Sequence, residues 1–412
     1  MMTSVNSITV GNLSLMENKV IYFDNNATTQ VAPEVLEVMM PYFCERYGNP
    51  SSIHRFGGSV AADIENARCK VAELLGATFR DRDGIATEII FTSCGTESDN
   101  AAINSAVAVN PDRKKIITSV VEHPAILSCL KNYERNGFEV VRVPVDKQGR
   151  LDMEFLKKEV DENTALVSIM WANNETGTIF PIKECAAVAH SKGALFHTDA
   201  VQAAGKVNID VEDTDVDFLS ISGHKLHAPK GIGVLYVKRK VRFMPTIFGG
   251  HQERLRRGGT ENVASIIGLG KACELALLNI SREQKELSAM RDRLEERISA
   301  EVPCIRINGD LQNRLPNTSS ISFEYIEGES ILMFLDMQGI CASSGSACTT
   351  GSLEPSHVLR AMDIPYTAAH GTIRFSLSRY NTPDEIEKVA DAIVPVIARL
   401  REISPYWKEA GK

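Results

Sequence analysis

The stretch EIIFTSCGTESDNAAINSAVAV, residues 88–109, changes character in its middle. EIIFTS is a short apolar run of the kind a buried strand needs. GTESDNAAINSAVAV then reads as helical, and a glycine marks the change. A strand that stops at a glycine and passes into a helix is half of a βα unit. The pattern recurs along the chain. KKIITSV (114–120) leads into EHPAILSCLKNYERNG, and FEVVRVPV (138–145) precedes MEFLKKEV. TALVSIMWA (164–172) ends at NNETG before IKECAAVAHSKG, ALFHTDA (194–200) precedes VQAAGK, and VDFLSISGHK and GVLYVKR close the series. Strands alternating with helices predict an α/β fold with a mostly parallel sheet.

Beyond this series the pattern shifts. From about residue 265 to 301, Leu287, Met290, Leu294 and Ile298 recur at spacings of three and four among charged residues. This predicts an amphipathic helix joining two domains. Thr382-Pro383-Asp384-Glu385 offers a cap, a first-turn proline and a capping-box Glu. Ile386, Val389, Ile393, Ile397 and Leu400 mark a buried face, with a kink expected at Pro395. RINGDLQNRLPNTSSISFEYI and TIRFSLSRY supply strands between. The expected organisation is a flexible leader over 1–20, a large domain over 33–276, and a smaller α+β domain from 21–32 and 277–412.

The chain has 412 residues, enough for about two domains at roughly 150 residues each. Hydrophobic residues are 43% and charged residues 24%, as in a soluble globular protein. A net charge of -8 argues against a nucleic-acid surface, and Arg254, Arg256 and Arg257 form only a short basic patch. Nine cysteines, an odd number without C-x-x-C spacing, point to a reduced, cytoplasmic protein. Cys341 and Cys348 lack partners at zinc spacing, so no metal is expected. No run reads as a membrane span, and the first twenty residues lack the charged start of a signal peptide. Met16 offers a second start.

Several reactive groups fall at predicted carboxyl ends of strands. Gly95-Thr96 opens a helix, where free N–H groups favour an anion, although Thr96 also reads as an ordinary N-cap. Asp199 ends ALFHTDA, with Gln202 three residues later. VDFLSI delivers Ser222, His224 and Lys225 into a glycine-bounded loop. His123 follows one strand; Asn173 and Asn174 follow another. Each alone has a structural reading as cap, turn or surface charge. Together they mark the edge where an α/β sheet places its site. A lysine for a Schiff base, an acid for a pyridinium nitrogen and a phosphate cradle are what pyridoxal phosphate requires.

At these residues the chain resembles the cysteine desulfurases of the class V aminotransferase fold, closest to the nitrogen-fixation type. The matching stretches are YFDNNATT, GTESDN, VEHPAI, ANNETG, HTDAVQ, SGHK, RRGGTEN, SSGSACTTGSLEPSHVL and GTIRFSLSRY, in order from Tyr22 to Tyr380. The resemblance implies a fold-type-I, seven-stranded-type sheet that binds pyridoxal 5'-phosphate. It implies Lys225 as the aldimine lysine, Asp199 at the pyridinium nitrogen and Gln202 at the phenolic oxygen. His123 would stack on the ring and act as an acid–base group. Gly95, Thr96, Ser222 and His224 would hold the phosphate, with Thr260 reaching the phosphate of a neighbouring subunit in a homodimer. Asn174 and Arg374 would hold the substrate carboxylate.

Cys348 sits in CASSGSACTTGS, residues 341–352, a stretch of small residues with Gly345 and Gly351. The resemblance makes Cys348 the nucleophile that takes sulfur from L-cysteine as a persulfide, leaving alanine. Delivery would be to an iron–sulfur scaffold or other acceptor protein, with nitrogenase service one destination. Such a role asks for a mobile stretch, since the sulfur must be collected and then carried outward. A selenocysteine lyase or an aminotransferase is the alternative within the fold; the latter has no need of Cys348. A sulfur-delivery scaffold with little turnover is the alternative in another class.

Overall fold

The computed structural model describes residues 20–344 and 354–410. Cys348 lies outside the described residues, with the rest of 345–353 and all but the last residue of the expected leader.

Seven strands form one sheet in the order Ile89–Thr92, Gly233–Val237, Phe218–Ser222, Leu195–Asp199, Thr164–Ser168, Lys115–Ser119, Glu139–Val143. Only Gly233–Val237 runs antiparallel to its neighbours. Most of these strands are buried along their length, which explains why they read as continuous apolar runs rather than alternating ones. Gly233 is fixed by packing: a Cβ there would lie 2.5 Å from the carbonyl carbon of Cys94. That close approach lets the antiparallel strand pass directly under the turn that starts the Gly95–Val109 helix.

A second sheet is antiparallel, with Thr318–Phe323 between Thr372–Ser376 and Ile305–Ile307. Its core contains Phe323, Ile373 and Phe375 together with Ile386, Val389 and Ile393 of the Pro383–Ile403 helix. The expected capping box is present: Glu385 N donates to Thr382 Oγ1, and Thr382 N donates to the Glu385 carboxylate. Pro395 lies inside that helix, which continues past it.

One helix, Val263–Glu301, serves both cores. Its 39 residues span about 58 Å. Ala264, Leu269 and Cys273 join the core around the large sheet, and Leu287, Leu294 and Ile298 join the smaller one. By length and composition this helix could cross a membrane, which the sequence did not suggest; its apolar residues are instead largely spent on packing within the protein.

Within the 277–412 stretch one arm goes elsewhere. Leu315, Val358, Leu359, Met362 and Ile364 pack against the core of the large sheet. The chain just after residue 353 is therefore held at that sheet. The expected basic patch is offset by acids: Arg254 pairs with Glu65 at 3.2 Å and Arg257 with Glu97 at 2.9 Å. Beneath it, Arg68 and Glu253 form a buried two-pronged pair at 2.6 and 2.8 Å. The same Glu253 accepts from Phe91 N, so the pair ties this loop to the edge strand. It anchors a run of left-handed backbone at Glu253, Arg254 and Leu255.

Candidate active site

A cavity of about 350 Å³ opens at the carboxyl ends of the parallel strands. It brings together Gly95, Thr96, His123, Asn174, Asp199 and Gln202 with Ser222, His224, Lys225 and Arg374. Thr260 is not among its lining residues; it is exposed on the loop beyond Arg257.

One end of the cavity suits an anion. The Gly95–Val109 helix starts there, and no side chain caps it. Thr96 is inside its first turn, so the N-cap reading of Thr96 gives way: Cys94 holds that position. Gly95 packs tightly, since a Cβ would sit 2.8 Å from Val201 Cγ2. Ser222 ends its strand beside this helix start, and His224 follows in a single 3₁₀ turn, Gly223–Lys225. His224 Nδ1 lies 3.1 Å from Thr28 Oγ1. Burial, helped by Lys225 and Lys230, pulls its pKa down to about 4, so the ring is neutral at neutral pH. The uncapped N–H groups and the helix dipole supply the positive end.

The opposite end is acidic and deeply buried. Asp199, 6% exposed, accepts from Val201 N at 2.9 Å. Burial raises its pKa, while His123 and Lys225 draw it back. Asp99 lines the same cavity with one oxygen lacking any hydrogen-bond partner. Its pKa is pushed well up by burial and then by the charge of Asp199. Glu122 accepts from Ser119 Oγ at 2.6 Å and Met170 N at 2.9 Å, and burial lifts its pKa to about 8. His197, fully buried, lies between Ser168 Oγ at 2.9 Å and Ser220 Oγ at 3.0 Å, and burial depresses its pKa to about 3.

Between these ends lie His123 and Lys225. His123 N-caps the Pro124–Arg135 helix by accepting from Ala125 N through Nδ1 at 3.2 Å. Burial lowers its pKa, with Asp199 opposing and Lys225 reinforcing. A neutral ring whose Nδ1 accepts carries its hydrogen on Nε2. Lys225 Nζ donates to the carbonyls of Asn26 and, at 2.6 Å, Ala27. The segment that supplies them is clamped to the lysine loop, because Thr29 N and Thr29 Oγ1 both donate to His224 O at 2.9 Å.

Arg374, 3% exposed, comes from the smaller sheet. It donates to Asp24 at 2.9 Å and to the carbonyl of Asn174 at 3.1 Å, and its Nε has no partner. The chain on either side of residues 345–353 is also fixed here. Ser343 pairs with the backbone of Arg374. Ser356 Oγ donates to the buried Glu175 at 2.5 Å, and His357 Nε2 lies 3.0 Å from the carbonyl of Glu122.

Asn26, Ala27, Asp99, Glu122 and His197 were not singled out from sequence. Two had a legible signal: Asp99 is three residues beyond Thr96 on one helix face, and His197 is two before Asp199 on one strand face. The carbonyls of Asn26 and Ala27 had none.

A cationic ring nitrogen would neutralise Asp199 at the acidic end, and a phosphate would meet the helix start. That polarity fits pyridoxal phosphate, with Lys225 between to hold its aldehyde carbon. The comparisons agree. The family model described as aminotransferase class-V matches residues 21–389. The cysteine desulfurase NifS of Azotobacter vinelandii is 57% identical over 391 residues, covering 95% of this chain and 96% of that protein. A cysteine desulfurase of Nostoc sp. is 54% identical over 393 residues, with the same coverage. A solved NifS-like protein superposes with a TM-score of 0.86 at 39% identity, over 93% of this chain and 100% of that one. The X-ray structure of a NifS-like protein from Rickettsia africae gives 0.82 at 32% identity, over 92% and 100%. The chain belongs to the class-V aminotransferase family and, within it, to the pyridoxal-phosphate-dependent cysteine desulfurases. Enzymes of this kind take sulfur from cysteine and pass it to acceptor proteins.

Proposed function

We propose that the chain converts L-cysteine to L-alanine and takes the sulfur onto Cys348 as a persulfide. Delivery is to an iron–sulfur scaffold or another acceptor, and the resemblance to NifS favours nitrogenase cofactor maturation. The observation that carries the reading is the polarity of the cavity, acidic at one end and anion-binding at the other, with Lys225 and His123 between.

Bound pyridoxal phosphate supplies the electron sink for the bonds at the substrate Cα. Lys225 would hold the cofactor and, as a free amine, would carry the proton of the substrate Cα. Asp199 would pair with the ring nitrogen, and Gln202 would donate to the phenolic oxygen. His123 would lie against the ring and could exchange a proton through Nε2. Gly95, Thr96, Ser222 and His224 would hold the phosphate. Asn174 and Arg374 hold the substrate carboxylate, for which the planar guanidinium offers a two-pronged fit. The Cys348 thiolate attacks the substrate sulfur: an S–S bond forms and the substrate C–S bond breaks. The electron pair passes to carbon, which gains a proton and leaves as alanine.

The protein acts as a homodimer in the cytoplasm. Leu36, Met40, Phe43 and Tyr47 are each at least half exposed, with Phe248 at 81% and Leu255 at 60%. Exposed apolar side chains of this size are suited to burial against a second copy. Thr260 is exposed on the same loop as Phe248 and Leu255, where it would reach the neighbouring cofactor phosphate. The eight described cysteines are all free, in keeping with a reducing compartment.

Cys348→Ala is the test. The variant keeps the visible band of the bound cofactor but loses alanine release from cysteine, and mass spectrometry of the wild type after cysteine treatment finds one extra sulfur on Cys348. Alanine release at the wild-type rate in the variant would overturn the assignment.

A further inference from the structure

Lys206 is a half-buried lysine with no role in the chemistry described so far. It follows Gln202 by four residues in a run of tight turns, which places both on one face. Its Nζ donates to Gln202 Oε1 at 2.8 Å and to Gln202 O at 3.1 Å. Among the described residues no carboxylate lies within ion-pair distance of it. Lys225 and Arg374 face it from the active-site side, and burial with these two charges draws its pKa down to about 7. Behind it, His227, Glu283 and Arg379 share a small cavity, where Glu283 is already held by Arg379 at 3.0 Å.

Gln202 is therefore gripped from both sides. Lys206 Nζ donates to Oε1, so the amide oxygen faces Lys206. Nε2 donates to the carbonyl of Asn26 at 2.9 Å, which can only accept. The amide orientation is settled by its partners, and one Nε2 hydrogen remains for the cavity that Gln202 lines. A hydrogen bond donated to the amide oxygen withdraws electron density and strengthens donation from the nitrogen.

We propose that Lys206 is a positioning residue that orients and polarises the Gln202 amide, so that Gln202 gives a strengthened N–H to the phenolic oxygen of the bound cofactor. This rests on the reading above that pyridoxal phosphate places its phenolic oxygen at Gln202. The stronger donation holds the phenolic oxygen anionic and lowers the proton affinity of the cofactor nitrogen joined to Lys225.

The test is a pH titration of the visible absorption band in the holoenzyme. Lys206→Met moves the titration midpoint up by about one pH unit, a tenfold rise in proton affinity, while Lys206→Arg stays near the wild type. Lys206→Gln, neutral but polar, gives the same upward shift and replaces the Met variant should that one not fold. Combined with Gln202→Leu, Lys206→Met adds no further shift. A neutral variant that titrates like the wild type, while Gln202→Leu shifts, overturns the role of Lys206 alone. If Gln202→Leu also leaves the midpoint unmoved, the placement of the cofactor at Gln202 fails instead.

Discussion

The two ends of the cavity carry charge by different means. Around the anion end, positive character comes from backbone N–H groups of an uncapped helix, and His224 is kept neutral. At the other end three acids, Asp99, Glu122 and Asp199, are buried together. Asp99 and Glu122 are pushed up by burial and by the charge of Asp199, Glu122 to about 8. Asp199 alone has His123 and Lys225 drawing its pKa back down. Of the three buried acids, Asp199 is thus the one whose charged form His123 and Lys225 favour. An unpaired buried charge is costly, and a ring nitrogen bearing a proton removes that cost at Asp199.

The largest effect comes from removing the group between the ends. Lys225→Ala abolishes the visible band of the bound cofactor and lowers alanine production by about a thousandfold or more, in line with the loss of a proton carrier and its covalent hold. A normal band in that variant would refute the assignment. Next is the contrast between the acids. Asp199→Asn takes away the carboxylate whose charge His123 and Lys225 favour and cuts turnover by about a hundredfold or more. Asp99→Asn replaces an acid whose charged form burial disfavours by an amide of the same shape, so turnover stays within about threefold. Equal losses in the two variants, measured side by side at pH 7, would break the distinction. Arg374→Lys keeps the charge but loses the planar fork, and raises KM for cysteine by about tenfold with a smaller change in kcat.

How far this site could be read in advance depended on who supplies each contact. Asp199, Lys225 and His123 follow apolar strands directly, so strand ends alone place them on one edge. Asp99 and His197 also lay within reach, through the helical and strand periods that align them with Thr96 and Asp199. The carbonyls of Asn26 and Ala27 are different. They meet Lys225 across nearly two hundred residues through backbone atoms, and a backbone acceptor has no residue signature. The same limit hid the return of Val358 and Leu359 to the large core: their helix, His357–Ala361, is too short to show a period against the rest of the 277–412 stretch. Gln202 was visible but Lys206 was not, because a lysine near a turn reads as a solvated charge until its partner is seen.

The smallest effect that separates the two ends lies in the dependence of stability on pH. His197 at the acidic end is buried neutral between two serines, with a pKa depressed to about 3. In the unfolded chain the same ring takes a proton near pH 6.5. Its contribution to stability is therefore complete above pH 6.5 and is lost as pH falls toward about 3, because only the unfolded state gains the proton. Each such histidine steepens the acid limb by about 1.4 kcal/mol per pH unit, and His224 and His227, both depressed to about 4, act in the same direction. His190 at the surface does the reverse. Its hydrogen bond to Asp217 at 2.8 Å raises its pKa, so its contribution is present below pH 6.5 and fades as pH rises. Denaturant unfolding of His197→Asn between pH 7 and 4.5 is expected to give a lower starting stability but a shallower acid slope than the wild type. His190→Asn loses stability at the acid end of that range and converges with the wild type above neutrality. An unchanged acid slope in His197→Asn would mean that the folded protein admits a proton at that ring, and the acidic end would then hold a cation of its own.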